Sequence, residues 1–479
     1  IYGIGMVLAL SGWPLFISKI ITEQPDEMHQ QLVARRLFWS LVGISAVLFT
    51  IVYGGAAPLS LLMGGDLKLY PVVRAVAWMF WFMPFLAIGR GYAQGQLNMV
   101  PTAMSQVIEQ IVRVAIIIGV AWWGVQANWS VYRIGEWATF GATIAGLAAT
   151  LFLATSLRHI WSLPIDETVK QKKTLSWRHL FGRLWREGGL LAMLAALLVL
   201  LQLVDSFSTK LLLQDAGLTA HQAEFTKGIY DRGQPLVQLG MVLATGLGTS
   251  LLPALRQHVI RRDEQALRND FQLTMRLSIL LSGVATVGLV AIMPSVNQLL
   301  FGSSAGSDAL ALFTISIVPA TLIVVSTSVL QSFDKTRGLG WFVLLTMLVK
   351  AGLNIWLVQI FGIAGASLAT VGALLPFLIF TLVRLPKSLW ISWVPKKWWR
   401  KLIAILLAVG ILARLAYILG HSLFGATRLA SVLTTVVGVG VGATAFVLML
   451  WWTALLEEAE WDALPKGRQI YQFINRGRK

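Results

Sequence analysis

The sequence predicts an all-α polytopic membrane protein. Hydrophobic residues make up 56 % of the 479 residues and charged residues only 13 %, and the mean hydropathy is +0.71. A soluble globular chain rarely reaches these values. Apolar runs of about 20 residues, the length that crosses a bilayer, recur from one end of the chain to the other. The chain is therefore expected to cross the membrane many times.

Thirteen membrane spans are predicted. They cover residues 1–20, 37–62, 72–90, 102–124, 134–156, 187–212, 230–255, 273–299, 308–332, 340–361, 363–384, 401–420 and 429–455. The first residue already lies in an apolar run, and the run has no initiator Met, basic leader or small-residue cleavage site. We therefore expect one earlier span to be missing, which would give fourteen spans with both termini in the cytoplasm.

Lysine and arginine residues set the predicted orientation. Placing residue 1 outside puts most of the 39 Lys and Arg on the cytoplasmic side of the spans, as the positive-inside rule requires. The predicted location is therefore a membrane, with the C-terminus in the cytoplasm. The net charge of +17 does not indicate a nucleic-acid partner, because the basic residues are spread over alternating loops. The chain has no cysteine, which excludes disulfides, thiolate metal sites and cysteine nucleophiles.

The predicted spans are organised in lobes. We expect an N-terminal lobe at 1–157, a basic cytoplasmic linker at 158–187, a C-terminal lobe at 188–385, two extra transmembrane helices at 386–456 and a basic cytoplasmic tail at 457–479. In the linker, "SWRHLFGRLW" has aromatic residues on one side and basic residues on the other. This pattern suits an amphipathic helix on the inner leaflet or, alternatively, a solvated connector.

A weak internal repeat indicates that each lobe has six helices. Shifting the chain by 237 residues superposes residues 93–114 on 330–351. Three polar pairs match under this shift: Gln94 with Gln331, Arg113 with Lys350, and Lys19 with Arg256. So few matches leave coincidence between apolar segments open. The repeat predicts two lobes in a pseudo-twofold arrangement, the first lacking its opening helix, followed by two C-terminal helices.

Three segments carry a resemblance to a known family: "SGWPLFISKIITE" (11–23), "GRGYAQGQLNMVPTAMSQVIEQIVRV" (89–114) and "YDRGQPLVQLGMVLATGLGTSLLPAL" (230–255). They resemble the multidrug, oligosaccharidyl-lipid and polysaccharide exporter superfamily. Within it, the chain is most similar to the polysaccharide-transporter branch, which includes the MurJ-type lipid II flippases and the SpoVB-like proteins. The resemblance implies a V-shaped pair of lobes around a cavity that opens alternately to the two sides. We expect the protein to act as a monomer.

The resemblance also implies a substrate and residues that bind it. The substrate would be undecaprenyl pyrophosphate carrying the peptidoglycan disaccharide-pentapeptide, with its lipid tail in a groove of the last two helices. The positions that match pyrophosphate-binding residues of the family are Lys19 and Arg232, and Asp231 would orient Arg232. The alternative is that Asp231 and Arg232 form an interfacial pair that reaches water.

Three further charged residues are candidates for the substrate site. Glu109 and Arg113 are four residues apart on one predicted helix, acid first, which favours an ion pair on the same face near mid-membrane. This pair would either fix helix packing or add Arg113 to the anion-binding cavity. Arg74 lies just inside the outer end of a span and faces either water or the cavity.

A separate site is expected to couple transport to an energy source. Some MurJ-type relatives hold a sodium ion at positions that correspond here to Asp205, Lys350, Asn354 and Thr370. Because Lys350 is itself a cation, we expect its ammonium to replace the sodium ion and to pair with Asp205. A static salt bridge is the alternative. The coupling ion would be a proton or sodium, or the membrane potential would drive the cycle; no cofactor is expected.

Other function classes have weaker support. The sequence has no HExxH zinc motif and no GxxxxGK[ST] phosphate loop, so no catalytic or metal-binding residue is predicted and the protein is not expected to be an enzyme. The alternatives are a flippase for another lipid-linked glycan such as a teichoic-acid or capsule unit, then a cation-coupled drug exporter, then a membrane glycosyltransferase. A drug exporter would favour carboxylates in its cavity, whereas the intramembrane charges here are mostly basic.

Overall fold

The computed structural model describes residues 2–63, 66–162, 176–242, 263–390, 396–425, 427–456 and 461. Within these ranges the chain is helical or forms turns, and none of it is β-strand. The predicted fold class, an all-α polytopic membrane protein, is confirmed. The chain packs as two compact units, Ile1–Ser208 and Thr209–Lys479, and each is described by itself.

The first unit is built from short and long helices in succession. They are α1 (Tyr2–Thr22), α2 (Glu27–Gly54), α3 (Ala56–Leu62), α4 (Tyr70–Ala77), α5 (Met83–Gly95), α6 (Val100–Gln126), α7 (Val131–Phe152), α8 (Ala154–Ile160), α9 (Trp177–Arg183), α10 (Gly189–Ala195) and α11 (Leu197–Asp215), which ends in the second unit. Two π-helical turns occur here, Leu8–Gly12 within α1 and Leu184–Gly188 between α9 and α10.

The second unit contains the longest helices. They are α12 (Ala220–Asp231), α13 (Glu264–Phe301), α14 (Ser307–Thr314), α15 (Ile317–Ser332), α16 (Leu339–Arg384), α17 (Lys387–Trp390), α18 (Lys396–Phe424) and α19 (Arg428–Thr453). The chain is also helical at 233–242. Gly362 interrupts α16 with φ 56° and ψ −136°, a backbone conformation that glycine adopts more readily than other residues. The break lies at the predicted boundary between the spans 340–361 and 363–384.

Nine helices in the described ranges are long and apolar enough to cross a membrane, or ten if the bent pair Leu67–Trp81 and Met83–Gly95 forms one span. With the bent pair counted as one span, the number is three short of the thirteen predicted spans, for three reasons. Helix α16 contains two of the predicted spans, and the span predicted at 134–156 is α7, which is helical but is not among the nine. The span predicted at 230–255 is described only as far as residue 242.

The helix caps of the two units support the predicted 237-residue repeat. Helices α2 and α13 both begin with Glu, and each is preceded by an Asp that caps it. The Asp26 side chain accepts a hydrogen bond from the backbone N–H of His29 at 2.9 Å, and the Asp263 side chain accepts one from Ala266 at 3.0 Å. Such caps satisfy backbone donors that the first turn of a helix leaves unpaired. The boundaries of α4 and α14, and the last residues of α5 and α15, keep the same spacing.

The turn that follows α5 has the same backbone as the turn that follows α15. Leu97 and Asp334 both have positive φ, 60° and 54°, which is uncommon for residues other than glycine. In each turn the next residue donates its backbone N–H to a carbonyl five residues earlier, at 2.9 Å for Asn98 and 2.8 Å for Lys335. Helix boundaries, caps and turns therefore agree with a repeat that the sequence indicated with only three matching pairs.

The segment after residue 175 belongs with the first unit. Helix α9 packs on α2, and α10 packs on α1 so closely that a Cβ added to Gly12 would lie 2.5 Å from the Cα of Ala192. The compact units consequently divide after Ser208, inside α11, rather than in the expected linker 158–187. Residues 163–175, Arg256 of the repeat and the tail 457–479 apart from residue 461 lie outside the described residues, and the expected lobe boundaries stay a prediction.

The segment expected to be amphipathic is helical and has an exposed aromatic stripe. Trp177, Phe181 and Trp185, four residues apart, are 51 %, 40 % and 70 % exposed, while Leu180 and Leu184 are buried. An exposed stripe of aromatic side chains suits the membrane interface, where Trp is enriched.

Candidate functional site

Four charged side chains form a network between the end of α1 and the segment α9–α10. Lys19 lies in the last turn of α1 and Glu23 directly follows that helix. The Lys19 Nζ donates to Oε2 of Glu187 at 2.7 Å. Arg183 donates from Nε to Oε1 of Glu187 at 2.7 Å and from Nη1 to Glu23 at 2.8 Å. The Glu187 carboxylate thus lies between two cations, one on each helical segment.

Hydrogen bonding determines the ionisation of this network. Burial by itself would raise the pKa of Glu187, but hydrogen bonds from Arg183 and Lys19 outweigh burial and lower its pKa from 4.5 to about 2. Burial would lower the pKa of Arg183, but hydrogen bonds to Glu187 and Glu23 raise it above its usual value. Both residues precede α11, the next candidate span. They are therefore charged throughout the physiological pH range.

Arg232 lies at the C-terminal end of α12 and is held by neutral groups. Its Nη1 donates to Oδ1 of Asn297 at 3.2 Å and to the carbonyl oxygen of Ser303 at 3.5 Å. Its guanidinium carbon lies 5.2 Å from the centre of the Phe301 ring, within the range of a cation–π contact. Asn297 is fully buried in α13, so it fixes one edge of the guanidinium.

Asp231 was expected to orient Arg232, and the structure gives its carboxylate a different ion pair. Lys227 donates to Oδ2 of Asp231 at 2.6 Å, from one turn earlier on α12. Residues four apart on a helix share a face, whereas neighbours in sequence do not. Asn297 contacts Arg232 directly, and an orienting role for Asp231 stays a prediction.

Arg74 and Arg113 are half-buried and are held by tyrosines. Arg74 donates to the hydroxyl of Tyr70 at 2.9 Å and to the hydroxyl of Tyr53, whose ring centre lies 3.9 Å from the guanidinium carbon. Arg113 donates to the hydroxyl of Tyr2. Within the described ranges, neither arginine has a carboxylate within 4.0 Å. Both therefore keep a positive charge that a carboxylate does not neutralise.

The ion pair expected between Glu109 and Arg113 is not formed in the described part of the chain. Glu109 pairs instead with Arg90 of α5, whose Nη2 lies 2.7 Å from Oε2 of the carboxylate; the side chains are 4 % and 0 % exposed. Arg90 also donates from Nε to Ser105 at 2.9 Å. The packing of α5 on α6 supplies Glu109 with a partner that spacing along one helix does not show. This arrangement favours the helix-packing role over a substrate-binding role for Glu109.

Three of the four predicted coupling residues lie in the second unit, and Lys350 and Thr370 are in contact. The ammonium of Lys350 is fully buried and donates to the carbonyl oxygen of Ala366 at 2.7 Å and to Oγ1 of Thr370 at 2.8 Å. The hydroxyl of Tyr230 lies 3.3 Å from the same Thr370 oxygen. Asn354 is fully buried one turn after Lys350 on α16.

Asp205, the fourth predicted coupling residue, is buried in α11 and belongs to the first unit. The expected pairing of Asp205 with Lys350 stays a prediction. Among the residues that the structure describes, no three His, Asp or Glu side chains form a group that could hold a metal ion.

Several residues of these sites were missed by the sequence analysis. They are Glu23, Arg183, Glu187 and Asn297. Glu23 and Arg183 lay in segments assigned to a helix end and a linker, and only the fold brings them to Lys19. The signal that could have identified Arg183 and Glu187 was their spacing of four residues, which places opposite charges on one helix face.

Comparisons with known proteins agree with this architecture. The family model described as polysaccharide biosynthesis protein matches residues 1–259. The uncharacterized membrane protein YabM of Bacillus subtilis is 32 % identical over 99 % of this chain and 88 % of its own. Two further Bacillus subtilis relatives are lipid II flippase MurJ, 23 % identical over 77 % of this chain and 71 % of its own, and stage V sporulation protein B, 26 % identical over 75 % and 70 %.

Solved structures show the same fold. Lipid II flippase MurJ in an inward closed conformation superposes with a TM-score of 0.66 at 13 % identity, covering 94 % of this chain and 92 % of that one. An inward-facing MATE multidrug transporter gives 0.61 at 14 % identity, covering 82 % and 89 %. The resemblance inferred from the three sequence segments is confirmed. The chain belongs to the polysaccharide biosynthesis protein family and has the multi-pass membrane fold shared by MurJ and the MATE transporters.

Proposed function

We propose that the protein is a flippase that moves a lipid-linked cell-wall precursor, undecaprenyl pyrophosphate bearing the peptidoglycan disaccharide-pentapeptide, from the inner to the outer leaflet by alternating access. It would act as a monomer in the bacterial plasma membrane, with its C-terminus in the cytoplasm. One observation carries the proposal. Arg74, Arg113 and Arg232 are held by hydroxyl, amide and carbonyl groups and not by a carboxylate of the described ranges.

Cations of this kind suit an anionic cargo. A charge in a membrane protein is expensive and is usually retained because it binds a substrate or a partner. Neutral donors and acceptors fix the direction of a guanidinium without cancelling its charge, so it can form short charge-assisted hydrogen bonds to phosphate oxygens. A drug exporter for cationic compounds would require the opposite arrangement, with carboxylates left for the cargo.

The second candidate is a flippase for another lipid-linked glycan, such as a teichoic-acid or capsule unit. It is favoured by the identity values, because the relative at 32 % is an uncharacterized membrane protein and the lipid II flippase is at 23 %. Fixed arginines bind a pyrophosphate whatever sugar it carries. The two candidates therefore differ in the glycan and share the anion site.

Complementation distinguishes these candidates. The full chain, expressed in a bacterium depleted of its essential lipid II flippase, should restore growth. Arg232→Ala should abolish rescue at unchanged membrane abundance, and the exposed Arg186→Ala should rescue like the parent chain. Failure of the parent chain at normal abundance would reject lipid II as the cargo. Rescue of a strain blocked in another lipid-linked glycan would then support the second candidate.

For energy coupling, we propose that the Lys350 ammonium takes the place of a bound sodium ion. This proposal is supported by the hydrogen bonds that the Lys350 ammonium donates to the Ala366 carbonyl and the Thr370 hydroxyl, because carbonyl and hydroxyl oxygens coordinate cations. Transport into vesicles at fixed membrane potential should be the same in sodium and in choline medium, and Lys350→Gln should lose transport. A strict sodium requirement in the parent chain would reject the proposal.

A further inference from the structure

The network at the end of α1 has the form of an anion site that already holds an anion. Glu187 accepts hydrogen bonds from Lys19 at 2.7 Å and from Nε and Nη2 of Arg183 at 2.7 and 3.2 Å. The Arg183 guanidinium therefore donates two parallel hydrogen bonds, one to each oxygen of the Glu187 carboxylate. This is the geometry in which arginine also binds phosphate.

The second edge of the same guanidinium is also occupied. Arg183 donates from Nη1 and Nη2 to the two oxygens of Glu23 at 2.8 and 3.3 Å. Lys19 and Arg183 supply two positive charges, and Glu23 and Glu187 supply two negative charges. An anion can bind the two cations only if it displaces one of the carboxylates.

Glu187 is the carboxylate that accepts hydrogen bonds from both Lys19 and Arg183. It can be displaced from them while it is still ionised. Its pKa of about 2 means that protonation does not release it at physiological pH, so a competing anion must. The side chains of Lys19 and Glu187 are each 34 % exposed and that of Arg183 is 25 % exposed, so the carboxylate has a path to solvent.

Two features of the surroundings fit a lipid-borne anion. The exposed aromatic stripe of Trp177, Phe181 and Trp185 lies on the segment that carries Arg183 and Glu187, and such side chains lie at the level of lipid headgroups. The two helical segments that carry the network each contain a π-helical turn, Leu8–Gly12 and Leu184–Gly188. Such turns are frequent at functional sites in helices.

We propose that Lys19 and Arg183 form a loading site for the pyrophosphate of the lipid-linked substrate, and that Glu187 is an internal anion that occupies this site until the pyrophosphate displaces it. The proposal rests on the proposed function in that the cargo carries a pyrophosphate. Arg183 is thereby a substrate-binding residue, and Glu187 sets the affinity by competing with the substrate.

The test compares substitutions that break the same ion pair from opposite sides. The full chain in phosphatidylcholine nanodiscs is titrated with inorganic pyrophosphate, and binding is measured by calorimetry. Glu187→Gln should tighten binding about fivefold, the scale of a partly exposed ion pair. Lys19→Gln and Arg183→Gln should weaken binding by at least as much. Arg186→Gln, the same change on an exposed arginine of the same segment, should leave the affinity unchanged.

The sign of the Glu187→Gln effect decides the outcome. A purely structural ion pair predicts that Glu187→Gln and Lys19→Gln change the affinity in the same direction, and that result would overturn the proposal. If Glu187→Gln does not fold, Glu187→Asp keeps the charge with a shorter reach and should tighten binding about twofold. No tightening in that variant would also overturn it.

Two further arms identify the source of the anion. Undecaprenyl pyrophosphate incorporated into the nanodiscs should abolish binding of inorganic pyrophosphate, whereas phosphatidylglycerol should not. Competition by phosphatidylglycerol alone would overturn the assignment to the lipid-linked precursor. These measurements need no glycan. Failure of the parent chain to restore growth in the complementation assay would therefore reject the proposed cargo without contradicting the anion site.

Discussion

Removing one partner of the buried pair formed by Arg90 and Glu109 should strongly destabilise the first unit. The substitution Glu109→Gln keeps the size of the side chain and removes its charge. The guanidinium of Arg90 is then left 0 % exposed and without a counter-ion. The Gln oxygen can still accept from Nη2 as a neutral acceptor and Ser105 accepts from Nε at 2.9 Å, but Nη1 already has no hydrogen-bond partner. A buried charge that loses its counter-ion is expected to reduce the free energy of unfolding by about 3–5 kcal/mol.

The destabilisation by Glu109→Gln can be compared with that of a double variant that lacks both charges. Replacing both residues, as in Arg90→Met with Glu109→Met, removes both charges at once, and such exchanges are often neutral or stabilising. The double variant should therefore recover most of the stability that Glu109→Gln loses. Arg186→Gln, on an exposed arginine, should change the free energy of unfolding by less than about 0.5 kcal/mol.

The measurement is unfolding of the purified chain in mixed micelles by titration with sodium dodecyl sulfate, followed by tryptophan fluorescence. Full stability of Glu109→Gln, together with a loss of complementation, would refute the reasoning. That result would mean that the pair acts on the substrate and not in helix packing.

The remaining predictions concern close packing, backbone conformation and pH. Gly12→Ala should reduce the free energy of unfolding by about 1–3 kcal/mol, because the new Cβ would lie 2.5 Å from the Cα of Ala192. The matched control in the same unfolding assay is Gly43→Ala, where an added Cβ would have no heavy atom within 4 Å. Gly362→Ala should destabilise the chain by about 1–3 kcal/mol because φ there is 56°, and equal stability would show that α16 rearranges. The ratio of the affinities of Glu187→Gln and the parent chain for inorganic pyrophosphate should stay constant from about pH 8 to pH 5. It should shrink only below the usual carboxylate range, because the pKa of Glu187 in the folded chain is lowered to about 2. A ratio that changes near neutrality would contradict an ionised Glu187.

The sequence by itself determined that the chain lies in a membrane and that its fold is all-α, and it indicated the repeat. Apolar length and composition are properties of local segments, so the spans predicted at 102–124 and 429–455 correspond to α6 and α19 without knowledge of packing. The break between the spans 340–361 and 363–384 was also local, because Gly362 has a conformation that favours glycine. The matching caps at Asp26 and Asp263 likewise lie in the residues themselves.

Only the tertiary structure decided which charges meet. Spacing along one helix paired Glu109 with Arg113, but the packing of α5 on α6 brings Arg90 to Glu109 at 2.7 Å. Lys19 and Glu187 are 168 residues apart and meet because the segment after the expected linker packs on α1. An ion pair forms between side chains that the fold brings within about 4 Å, and a sequence lists charges without distances. For this protein the sequence therefore supplied the charged residues, and the fold decided which cations pair with a carboxylate of the described residues.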